Sequence, residues 1–140
     1  MNNKGLTVFE LLICTTILSI ILTSGFRGFQ SFQSRANINN GVRTIVSALN
    51  TARYKAIEKN KHIKVTITNN KFILMEKKEK KWKEFLNFNP GEKVSISINS
   101  NPVFSQTGFV SPLCSIHVKN EHYNYKITIS IAGRIKVMKE

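Results

Sequence analysis

The sequence predicts an α+β protein, in which one long N-terminal helix packs on a C-terminal domain of antiparallel β-sheets. Three patterns support this fold class. An apolar run comes first, apolar residues then recur at steps of three and four, and from residue 62 apolar and polar residues alternate as in strands. We therefore expect four segments: a leader at 1–5, a membrane-spanning helix at 6–26, an amphipathic helical half at 27–60, and a β-rich domain at 61–140.

The stretch from residue 6 to 26 is mostly apolar, and Glu10 is its only charged residue. A helix of this length would span roughly 30 Å, the thickness of the hydrocarbon core of a bilayer. A cleaved secretory signal would need small residues at its end, but the first alanine is Ala36. A lipid anchor at Cys14 would place the cysteine in the middle of the run rather than after it. The alternative is a buried core helix, but a soluble domain of this size rarely contains a helix with almost no polar face. We predict a single membrane span.

Residues 27–60 are predicted to continue the same helix as an amphipathic segment. Gly41 interrupts the pattern without ending it, and Asn60-Lys61 is expected to close the helix near Lys59. The predicted core-facing residues are Val42, Ile45, Val46, Leu49, Ala52 and Ala56.

Beyond the helix, the alternation predicts seven or eight short strands. Asn69-Asn70 is expected to form a hairpin turn between the first two strands, and Ala132-Gly133 to join the last two. The predicted strands cover residues 62–68, 72–77, 82–88, 94–98, 113–119, 123–131 and 134–138.

The composition excludes several classes of function. The 140 residues are enough for one domain, with 21 Lys and Arg against 8 acidic residues, a net charge of +13. All the acids are Glu, so Ser-His-Asp triads and EF-hand loops are excluded. The residues His62, His117 and His122 lack the spacing of zinc ligands. We expect no enzyme activity, no metal, no cofactor and no small-molecule substrate.

The two cysteines are expected to stay unpaired, because Cys14 lies in the predicted span and Cys114 in the β-rich domain. Cys114 alternates in phase with Ile116 and Val118, which predicts a buried thiol. A mixed disulfide with another molecule is the alternative.

The segment from Lys4 to Glu10, with Gly5, Leu6 and Thr7 between, resembles the prepilin signal of type IV pilins and type II secretion pseudopilins. The resemblance implies cleavage between Gly5 and Leu6 by prepilin peptidase and N-methylation of Leu6. It also implies that Glu10 pairs with the N-terminal amine of a neighbouring subunit during assembly, since a carboxylate in an apolar span needs a partner. The alternative is that Glu10 merely reaches the headgroups. Family members usually begin with Phe instead of Leu6.

A second, weaker resemblance covers the rest of the chain. The helical stretch 47–57, Val103-Phe104 with Gly108, and the stretch 131–135 are similar to motifs of the GspH/FimT pseudopilins. This implies a minor pseudopilin of a type II secretion system that assembles with other pseudopilins. It would be anchored in the bacterial inner membrane with its C-terminal domain in the periplasm, although the positive-inside rule alone favours the opposite orientation. The alternatives are a FimT-like minor type IV pilin, for pilus biogenesis or DNA uptake, and a signal-anchored envelope protein without fibre partners.

The basic charge suggests DNA as a further candidate partner, since lysines can contact phosphates while an aromatic ring stacks on a base. Two other interpretations stay open: a solvated hairpin loop at 76–84 with Trp82 packed inward, and a charge that reflects composition alone. The candidate residues are Lys77, Lys78, Lys80, Lys81 and Trp82 in one group, and Arg134, Lys136 and Lys139 in another.

Overall fold

The computed structural model describes residues 7–78, 81–91 and 93–140, with the side chains of 24–27 left out. By its internal contacts the chain divides into two compact units, Met1–Gln33 and Ser34–Glu140. One α-helix, α1 (Val8–Glu58), contributes residues to both units, as the sequence predicts.

In the first unit, the described residues are almost entirely helical and carry their apolar side chains on the surface. Val8 is 85% exposed and Leu22 is 68% exposed. By length and composition this helix could cross a membrane, and no residue of its most apolar window is buried. The predicted leader residues Lys4 and Gly5, and the predicted cleavage position Leu6, lie outside the described residues.

In the second unit, one face of α1 is buried against the sheets. The predicted core positions are confirmed, because Val46 is partly buried and the other five residues are buried. Ile38 and Ala48 join them. Gly41 is buried where the helix meets the loop before the fourth strand. A Cβ atom there would lie 3.1 Å from the carbonyl oxygen of Pro90, so the missing side chain permits this close approach.

The described residues of the second unit form two antiparallel sheets. Their strands are β1 (Ile63–Thr68), β2 (Lys71–Lys78), β3 (Lys81–Phe88), β4 (Ser95–Ile98), β5 (Val103–Phe104), β6 (Val110–Ser111), β7 (Cys114–Lys119), β8 (Asn124–Ile129) and β9 (Ile135–Lys139). The first sheet has the strand order β3-β2-β1-β5-β6, and the second has the order β4-β7-β8-β9. A hydrophobic cluster joins α1 to residues of both sheets and includes the buried Cys114, as expected from its alternation.

Local signals of the sequence are confirmed at the turns. Asn69 and Asn70 have φ angles of 49° and 59°, as a two-residue hairpin with both central residues left-handed requires. Asn60, with φ 52°, ends the helix in the left-handed conformation. The structure adds β5 and β6, which have two residues each and are too short to produce a periodic pattern.

Candidate functional site

Glu10 forms a capping box at the start of α1. Its Oε2 accepts hydrogen bonds from the backbone N–H of Thr7 at 2.9 Å and from the Thr7 hydroxyl at 3.1 Å. In return, the Thr7 hydroxyl oxygen accepts a bond from the Glu10 N–H at 3.3 Å. The T-x-x-E spacing before an apolar run is the signature of this motif, and sequence reasoning missed it. Glu10 therefore has a partner within its own chain.

Three segments that carry the family-like motifs meet at Arg53. The residues Gly108 and Gly133 have φ angles of +80° and +72° and lie against this side chain. A Cβ on Gly133 would come within 2.7 Å of the Gly108 carbonyl oxygen and 2.9 Å of Arg53 Nε. Arg53 Nη1 also lies 3.4 Å from the Gly133 carbonyl oxygen, to which it donates. Glycine is needed at both positions, and the contact joins α1 to loops from both sheets.

Trp82 lies on the outer face of the first sheet together with two lysines. It pairs with Lys77 across the β2–β3 ladder. Because the preceding residue, Glu76, is buried, Lys77 and Trp82 project to the opposite face. The Lys64 Nζ lies 5.8 Å from the centroid of the Trp82 ring. We call Lys64, Lys77 and Trp82 the outer-face cluster. It contradicts the interpretation in which Trp82 packs inward.

Lys78 and Lys81 pair with each other and project to the other face of the same sheet. Lys78 Nζ lies 3.7 Å from Oε1 of Glu76, so this lysine is already engaged in an ion pair. The candidate DNA-binding group is thus divided between two faces, while Lys80 lies outside the described residues.

Residues 76–78 and 81–84 belong to strands β2 and β3, which corrects the interpretation of this range as a loop. Its other described charged residues are exposed, as expected, but Glu76 is only 5% exposed. Lys59 Nζ donates to its carboxylate at 2.8 Å and Lys61 Nζ at 3.2 Å. These bonds, the one from Lys59 above all, lower the pKa of Glu76 to about 2. The buried carboxylate ties the end of the helix to β2.

The second candidate group is also dispersed. Lys136 pairs with Thr128 and Lys139 pairs with Tyr125, so the two lysines alternate to opposite faces of β9. Arg134 lies in the turn before β9. Both β3 and β9 are edge strands of their sheets, where exposed charges commonly prevent edge-to-edge pairing. That role accounts for charged residues on these strands without any nucleic acid.

Among the described residues, no group of three or more His, Cys, Asp or Glu side chains is placed to hold a metal ion. His117 Nδ1 lies 3.5 Å from Oε2 of Glu140, an ion pair only when the histidine is protonated.

The solved structures that are similar to this chain include a minor pseudopilin and a minor pilin. The first is the minor pseudopilin EpsH from the Type 2 Secretion System of Vibrio cholerae, with 12% identity and a TM-score of 0.56, over 69% of this chain and 96% of that one. The second is the type IV minor pilin FimU of Pseudomonas aeruginosa, with 13% identity and a TM-score of 0.57, over 71% of this chain and 90% of that one. No protein-family model and no curated protein matches the sequence.

Proposed function

We propose that this chain, which has the fold of the minor pilins and pseudopilins, is a GspH-like minor pseudopilin that assembles into the periplasmic pseudopilus of a type II secretion system. The observation that carries the proposal is an exposed apolar helix with a capped carboxylate near its start, joined in sequence to a domain of this fold. In this proposal prepilin peptidase cuts between Gly5 and Leu6, and Leu6 is then methylated. The role is structural and needs no catalytic residues.

The apolar side chains of the first unit would pack against lipid and against the helices of neighbouring subunits. Glu10 is the one charged residue between positions 6 and 26, and a charge in that position is costly unless it is paired. The capping box satisfies one of its oxygens before assembly. In the fibre, the N-terminal amine of a neighbouring mature chain would neutralise the carboxylate.

Two variants separate the assembly role of Glu10 from its capping role. Glu10→Gln keeps an amide oxygen for the capping box but removes the charge. Thr7→Val removes the hydroxyl but keeps the charge. We expect Glu10→Gln to abolish incorporation into the sheared-fibre fraction and Thr7→Val to reduce it only weakly. The opposite order would assign Glu10 to helix capping alone.

Mass spectrometry of the membrane-extracted protein tests processing in the same samples. The proposal predicts a mature chain that begins at methylated Leu6. An intact chain that begins at Met1 would instead support an envelope protein that is only anchored by its helix.

The second candidate function is that of a FimT-like minor type IV pilin that binds DNA for uptake. The outer-face cluster favours it, because Lys64 and Lys77 flank a half-buried Trp82. Such an arrangement can contact phosphates and stack on a base, and each phosphate contact adds about 0.7–0.9 to the slope of log affinity against log salt.

The test measures single-stranded DNA binding by the Ser34–Glu140 unit across a range of salt. If the chain has this second function, Lys77→Gln reduces the slope of log affinity against log salt by the amount that one phosphate contact contributes. Trp82→Ala weakens binding at all salt concentrations. Lys81→Gln is the matched control, since it removes the same charge from the other face of the hairpin. Equal losses for Lys77→Gln and Lys81→Gln would indicate nonspecific attraction.

A further inference from the structure

An open groove of about 620 Å³ runs between the flank of α1 and strand β9. Its apolar lining includes Val46 and Tyr54 from the helix and Val137 from the strand. Tyr54 is 62% exposed and Val137 is 40% exposed, so both carry apolar surface that is open to solvent.

The strand beside this groove has a free edge. In the described ladders β9 pairs with β8 alone and ends its sheet. Val137 pairs with the buried Ile127, so its side chain projects to the face on which α1 packs. An extended peptide could therefore pair with the backbone of β9 and place every second side chain against the helix.

Each wall of the groove carries a basic residue. Arg43 lines it, and Lys139 occupies the next position of β9 that faces α1. Tyr125 pairs with Lys139 and donates a hydrogen bond to Asn39, one helical turn before Arg43, at 3.3 Å. Both cations thus lie at the same end of the groove. Among the described residues, no glutamate contributes to its lining.

The positive net charge of the Ser34–Glu140 unit argues against a second copy of the chain as the molecule that occupies the groove. The Ser34–Glu140 unit contains all but two of the 21 Lys and Arg and all but one of the 8 Glu, so its net charge is +12. Two such units repel each other, whereas an acidic segment is attracted.

We propose that the groove between α1 and β9 binds an extended segment of another protein, which carries alternating apolar and acidic side chains and adds a strand to β9. Its apolar side chains cover Val46, Tyr54 and Val137, and its carboxylates pair with Arg43 and Lys139. The inference goes beyond the proposed function, since it holds for a secretion fibre and for a pilus.

The probe is a short fluorescent peptide of alternating valine and glutamate, titrated by anisotropy against the full chain in detergent micelles. A peptide of alternating valine and lysine is its matched control. We expect the acidic peptide to bind and the basic one not to bind. Lys139→Glu should raise the Kd of the acidic peptide about tenfold, because an ion pair is replaced by a repulsion.

Lys136→Glu is the decisive control variant. It makes the same charge change three residues away, on the opposite face of β9. The proposal requires that it leave the Kd within about twofold. Equal losses for the two variants, or equal binding of both peptides, would overturn it.

Sedimentation tests the other possible occupant of the groove, a second copy of this chain. Concentration-dependent self-association that Val137→Lys abolishes would also overturn the proposal. Processing at Leu6 is scored in parallel, so failure of the groove proposal is distinguishable from failure of the proposed function.

Discussion

Replacing Glu76 by glutamine removes a buried charge while preserving the size of the side chain. In the folded protein the hydrogen bond from Lys59, together with the weaker one from Lys61, lowers the pKa of this carboxyl from 4.5 to about 2. The unfolded chain therefore binds the proton more readily between these values. The resulting stabilisation is complete above pH 4.5 and is lost as the pH falls toward 2.

The size of the effect follows from the same pKa difference. One pH unit between folded and unfolded pKa values corresponds to about 1.4 kcal/mol, so the whole difference corresponds to about 3 kcal/mol. The side chains of Lys59, Lys61 and Lys78 are 36%, 43% and 56% exposed, so water screens the attraction. We therefore expect Glu76→Gln to lower the free energy of unfolding by about 1–2 kcal/mol at pH 7.

The assay is urea denaturation of the Ser34–Glu140 unit, followed by the fluorescence of Trp82. This unit contains every core residue of the described structure. Glu58→Gln is the matched control, because Glu58 pairs with Lys55 at 2.7 Å with both side chains at least a third exposed. It should cost much less than Glu76→Gln, because water screens an exposed ion pair. Equal stability of Glu76→Gln and wild type at pH 7, or a loss that persists undiminished near pH 2, would refute the reasoning.

Two further predictions concern packing and the buried thiol. Gly133→Ala should lower the free energy of unfolding by about 3 kcal/mol, from left-handed backbone strain and from crowding against Arg53. Gly91→Ala should cost only about 1–2 kcal/mol in the same urea titration, because φ is +109° there but an added Cβ would have no neighbouring atom within 4 Å. Equal losses for the two variants would contradict the crowding at Gly133. Burial raises the pKa of the Cys114 thiol to about 11. Cys114 is the single cysteine of the Ser34–Glu140 unit. At pH 8 it should therefore react with a disulfide reagent at least tenfold more slowly in the folded unit than in urea. Equal rates would contradict its burial.

The sequence alone could have shown that the lysines of β2 project to opposite faces of the sheet. Neighbouring residues of a strand project to opposite faces, so Lys77 and Lys78 could never belong to one patch. The T-x-x-E capping box of Thr7 and Glu10 was equally local. These features could have been predicted, because they depend on residues a few positions apart.

Other features depended on contacts between distant parts of the chain. Arg53 and Gly133 are 80 positions apart, and no periodic pattern indicates that they touch. Glu76 stands in a run of charges that is typical of a solvated segment, yet Lys59 and Lys61, which follow α1, donate hydrogen bonds to its carboxylate. The short strands β5 and β6 exist because neighbouring segments complete their hydrogen bonds.

The sequence by itself determined the apolar helix, its amphipathic continuation, the hairpin turn at Asn69-Asn70 and the excess of positive charge. Each of these is set by side-chain chemistry that repeats along consecutive residues. Only the tertiary structure decided which charges are buried, which lysines share a face and where α1 leaves a groove beside β9. Those properties follow from how the sheets pack on the helix, and packing joins residues whose order along the chain does not reveal their contact.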